Sequence, residues 1–267
     1  MRRGSILAPR TSHLAPRTSH LAPRTSHLAP RTPHPELLFN DYHTNHVMAK
    51  NPVWQDDYYL LLMQIYLRRP VGVKPLYSRE MVELSLELHI PPQYLQTRMQ
   101  QIARLETPRI ERIWQTYSKS PRRLARAVSL LREMKGFGAP NDFYKGVEVQ
   151  ETFEKDFRPL NEDKRFTPVM LILILDLYFR LSTITMVAQT PEVQELARLL
   201  RLKASDLVLV LDIFQTCDPY LNRDALIVSD LLLPCQQVWK RYGNMEPHVL
   251  AAYAEELKAY FKPSPVL

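Results

Sequence analysis

Five times between residues 107 and 219 a Ser, Thr or Asp stands directly before a proline: Thr107-Pro108, Ser120-Pro121, Thr167-Pro168, Thr190-Pro191 and Asp218-Pro219. Each pair is a helix-start signal. The side-chain oxygen accepts from an unpaired amide of the first turn, and proline at the first helical position lacks the donor that would go unused. Between these marks the apolar residues recur at helical spacing, and no convincing strand pair occurs. The pattern predicts an all-α, multi-helix body with helices at about 54–69, 78–88, 92–105, 108–119, 121–135, 168–181, 191–201, 204–216 and 247–261. Shorter pieces fall between 219 and 242. Gly136 and Gly243 stand where a glycine ends a helix in the left-handed conformation.

Ahead of this body, residues 7–27 are three identical copies of LAPRTSH, and LAPRT follows once more. A proline in every copy rules out a continuous helix, including the amphipathic helix of an organelle transit peptide. MRRGSILAPR has no apolar block of the kind a secretory signal needs. The expectation is a disordered repeat leader over 1–47, produced by duplication of a seven-codon unit, with either Met48 as the natural start or the leader dispensable. The leader holds six of the eight histidines, but one per heptad on a flexible chain does not converge on a metal, so no metal or cofactor is expected.

Net charge at pH 7 is +7, and it is unevenly spread. The leader carries six arginines against Glu36 and Asp41; residues 91–145 hold eleven Lys or Arg against four acids, a local +7, while 146–267 sum to −4. With the helical pattern broken twice between Gly136 and Thr167, this suggests a basic helical domain over 48–140 and an acidic one over 141–267. Phe143, Tyr144, Val147, Phe153 and Phe157 make the connection too apolar for a free linker, so the second domain is expected to pack on the first.

Within the basic domain, Ser78 to Leu105 reads as two helices joined by a tight turn at His89-Ile90-Pro91. Ser78 can cap the first; Met81, Leu84, Leu88 and Ile90 face inward from it, as Leu95, Met99, Ile102 and Leu105 do from the second. The second helix then turns Gln93, Gln96, Thr97, Gln100, Gln101 and Arg104 to solvent, with Arg98 alongside. This segment resembles the helix-turn-helix of DNA-binding proteins, with the helix at 54–69 as the supporting first helix. The resemblance covers about a tenth of the chain; His89 replaces the usual turn glycine, and no winged hairpin follows. It implies that Gln93, Gln96, Thr97, Arg98, Gln100 and Arg104 meet base edges. Arg122, Arg123 and Arg126 on a following helix are then suited to phosphates.

Other chemistry has little material to work with. Only His89 and His248 lie outside the leader, the two cysteines have no C-x-x-C spacing, and no phosphate-binding glycine loop is present. The apolar run Val169 to Leu175 is stopped by Asp176, which can pair with Arg180 one turn on, and is far short of a membrane span. The composition fits a reducing, cytoplasmic setting and a non-enzymatic binding protein. Two partners remain open: duplex DNA on the basic helices, or another protein, with the basic and acidic halves simply neutralising one another.

Overall fold

A computed structural model describes residues 54–138, 152–221 and 228–262. The leader and the segment from 139 to 151 lie outside the described residues, and so do the expectations that fall on them. Among those described, ten α-helices form and no strand does. The first five are α1 (Tyr59–Tyr66), α2 (Arg79–Leu88), α3 (Pro92–Arg104), α4 (Pro108–Tyr117) and α5 (Pro121–Glu133). After a 3₁₀ turn at Phe153–Phe157 come α6 (Pro168–Arg180), α7 (Pro191–Leu200), α8 (Ala204–Cys217), α9 (Leu232–Tyr242) and α10 (Pro247–Phe261).

Two helices are apolar nearly all round and therefore occupy the two centres. α1 buries Tyr59, Leu61, Leu62, Met63 and Ile65; around it pack α2, α3, α4 and α5, each through one stripe such as Leu95, Met99 and Ile102, or Leu124, Val128 and Leu131. α6 buries Val169 and every residue from Leu171 to Tyr178, and is surrounded by α7, α8, α9 and α10. Each fully buried Leu or Ile contributes about 1.5–3 kcal/mol through removal from water. α10 also packs on α2, so the two sets of helices meet, and the described residues belong to one unit. Among the described residues no helix is long and apolar enough to cross a membrane.

The prolines begin helices as the spacing predicts, but the hydroxyls ahead of them behave unequally. Thr107 accepts from the Ile110 amide at 3.3 Å and Thr167 from the Met170 amide at 3.4 Å. Ser120 and Thr190 make no such bond, and the buried Ser78 Oγ has no hydrogen-bond partner among the described residues. Asp218-Pro219 starts no helix there; Asp218 ends α8, its carboxylate accepting from the Tyr220 amide and the Tyr178 hydroxyl.

Helix ends also depart from the glycine rule. Gly136 has φ +88°, but Gly243 sits at φ −63°, open to any residue. Its reason is space: a Cβ there would lie 2.7 Å from the Trp239 carbonyl oxygen and 2.9 Å from the indole. The left-handed positions are filled instead by His89, Leu105 and Arg201. Leu105, expected inside, is 39% exposed because the chain turns away at that residue.

Candidate nucleic-acid interface

The turn between α2 and α3 is built by local chemistry and fixed by distant residues. His89 leaves α2 at φ 57° and ψ 31°, the geometry in which glycine is usual. The Ile90 amide donates to the Ser85 carbonyl at 3.1 Å, the Ser85 hydroxyl donates back to the Ile90 carbonyl, and Pro91 and Pro92 open α3. His89 Nδ1 faces Glu154 Oε1 at 2.7 Å, and the fully buried Glu154 also pairs with Arg158 at 2.6 Å. Beside this turn the Tyr77 hydroxyl accepts from Gln93 Nε2 at 2.9 Å, and the Tyr77 ring lies against Phe157 and Tyr253. Burial pushes the Tyr77 and Tyr253 hydroxyls far above the usual tyrosine range, so both stay protonated. Asp156, in the same 3₁₀ turn as Glu154, takes a two-pronged contact from Arg241 at 2.8 and 2.9 Å.

α3 carries no carboxylate, and Gln93, Thr97, Gln100 and Arg104 form one exposed stripe along it. Gln100 and Arg104 have no side-chain partner among the described residues. The other groups are engaged within the protein. Gln93 gives its amide to Tyr77, Thr97 donates to the Gln93 carbonyl at 3.0 Å, and the half-buried Gln96 reaches the Lys74 carbonyl at 3.4 Å. Gln101 accepts from the Tyr59 hydroxyl at 2.7 Å.

Arg98 is the most constrained of them. Its guanidinium lies 5.2 Å from the Trp54 ring centre and 4.9 Å from that of Tyr94, and it donates to Gln101 at 3.1 Å, to Tyr59 at 3.3 Å and to the Tyr94 hydroxyl. Sequence reasoning did not find this arrangement. The available signal was Tyr94, four residues before Arg98 and so one turn below it.

On α5, Arg122, Arg123 and Arg126 are all exposed. Arg123 lies 5.5 Å over the Tyr117 ring, and none of the three meets a carboxylate among the described residues. Seven other arginines do. Arg79 pairs with Glu83, Arg109 with Asp56 and Asp57, Arg132 with Glu87, and Arg158, Arg165, Arg180 and Arg241 each face an acid in the C-terminal half. Arg109 and Arg132 thus find their acids inside the basic half itself. Arg132 grips both oxygens of Glu87 at the edge of a cleft of about 130 Å³ that also holds Arg68, Glu80 and Glu83. No group of three or more His, Cys, Asp or Glu able to hold a metal ion occurs among the described residues.

The arrangement therefore divides by role: α5 offers charge to any polyanion, while α3 offers a polar stripe whose ends differ in freedom. Comparison with known proteins adds nothing to this geometry, since no family model, curated protein or solved structure matches the chain.

Proposed function

We propose that this is a non-enzymatic binding protein that engages nucleic acid through α3 and α5. The observation that carries the reading is the set Arg122, Arg123 and Arg126, exposed and without carboxylates among the described residues, where seven other arginines have them. Arg122 and Arg126 are four apart on one helix, where like charges repel by a few tenths of a kcal/mol. A phosphate backbone relieves that repulsion and releases counterions as it binds. Gln100 and Arg104 add a donor-rich patch on α3 suited to base edges.

The test is affinity for DNA as a function of salt. Binding weakens steeply as salt rises, and alanine at Arg122, Arg123 or Arg126 lowers the slope by about one each. Salt-independent binding, or unchanged affinity in all three variants, defeats the reading. A second reading, a protein-docking surface, is favoured by Leu130 and Met134, 57% and 59% exposed one turn apart at the end of α5. Co-purification of one stoichiometric protein partner free of nucleic acid supports it instead.

A further inference from the structure

Resting on that reading, we propose that the Tyr94 ring is a stacking platform for an unpaired base, so that the nucleic acid met at the start of α3 is single-stranded there. Tyr94 is 39% exposed, in the turn that also presents Gln93 and Thr97. The ring is held before any ligand arrives. Trp54 packs on it with ring centres 5.7 Å apart, and the Arg98 guanidinium lies 4.9 Å from its centre while donating to its hydroxyl. Arg98 is itself fixed by Trp54, Tyr59 and Gln101.

This combination has three consequences for binding. A ring already immobilised loses little side-chain freedom when a base stacks on it. The guanidinium over one face of the ring adds positive charge that favours both a base on the other face and the neighbouring phosphate. The helix carries no carboxylate to oppose the phosphate. Arg98 acts here by holding the ring and supplying charge, three of its five N–H donors being given to Tyr59, Tyr94 and Gln101. Gln93, whose amide nitrogen is given to Tyr77, keeps its oxygen for a base edge.

Stacking discriminates between forms of nucleic acid. Bases in a duplex are covered on both faces by their neighbours and show only their edges, whereas an unpaired base exposes its face to an aromatic ring. The engaged class is therefore single-stranded nucleic acid, or a loop or end with splayed bases.

Fluorescence anisotropy of the full chain with a labelled single strand of about 15 nucleotides, and with the matching duplex, tests this. Tyr94→Ala is expected to weaken single-strand binding about tenfold and leave duplex binding unchanged, with a thermal melt lowered only by the loss of the Trp54 and Arg98 contacts, while Tyr94→Trp keeps the affinity. If Tyr94→Ala fails to fold, Tyr94→Leu keeps the apolar contact with Trp54 without a π-face and carries the same expectation. Equal single-strand affinity with and without the ring overturns the platform, as does an equal loss on both nucleic acids. Wild-type binding to duplex but not to single strands overturns the platform and leaves the nucleic-acid reading standing; binding to neither at low salt ends both.

Discussion

His89 Nδ1 lies 2.7 Å from Glu154 Oε1, joining the left-handed turn between α2 and α3 to a carboxylate with no solvent exposure, 65 residues along the chain. Removing one member of a buried pair leaves the other desolvated, so Glu154→Ala is expected to cost about 3 kcal/mol in urea unfolding. The turn itself adds a finer prediction. His89→Ala and His89→Gly both lose Glu154, but only glycine relieves the left-handed backbone, so the glycine variant is the more stable by about 1 kcal/mol. Equal midpoints for the two would show that the backbone is unstrained.

Arg201 holds the same left-handed conformation at φ 58° on the exposed end of α7. The Leu202 amide reaches the Ala197 carbonyl at 2.9 Å, the pairing of a helix stop that glycine usually completes. Arg201→Gly is expected to raise the thermal midpoint, corresponding to about 1 kcal/mol of stability. A lowered midpoint would assign the arginine a contact that outweighs the strain.

Gly243 makes the opposite case. Its backbone suits any residue, but the Trp239 carbonyl and indole occupy the space of a side chain. Gly243→Ala is expected to cost about 1–3 kcal/mol, read by chemical denaturation, and to shift the Trp239 fluorescence. A neutral result there would mean that the indole moves aside freely.

Asp176 is buried in α6, 3.0 Å from Arg180, in a polar patch with Lys258 and Glu255 nearby. Burial raises its carboxyl above the ordinary aspartate range, and the neighbouring cations oppose that only in part. A raised folded-state value means the native protein holds this proton more tightly than the unfolded chain. The contribution to stability is thus greatest below the unfolded carboxyl value of about 3.9 and declines as pH climbs through the folded one. Wild type minus Asp176→Asn, followed by urea midpoints over acidic to neutral pH, is expected to fall with rising pH. A difference that grows with pH would place the Arg180 pair above burial.

The helices were legible because their causes are local. Proline at the first turn, apolar residues three and four apart, and the i,i+4 pair of Asp176 and Arg180 all act within a few residues, and they placed α2, α3, α6 and α10 to within about one residue of the structure. Capping was legible only in part. Thr107 and Thr167 reach their amides, but the Ser78 hydroxyl is buried without a partner among the described residues, a result set by what packs over α2.

The same division runs through the candidate site. The order of residues alone determined that α3 would carry amides, Arg98 and no acid, and that α5 would carry a run of arginines, since helical spacing fixes which side chains share a face. Which of those groups remain open to a partner was decided only when the chain folded. Trp54 and Tyr59 close on Arg98, Tyr77 takes the Gln93 amide, and Arg122, Arg123 and Arg126 are left without acids among the described residues. A polar side chain bonds to whatever tertiary packing brings within about 3 Å, and spacing along one helix carries no record of neighbours supplied by another.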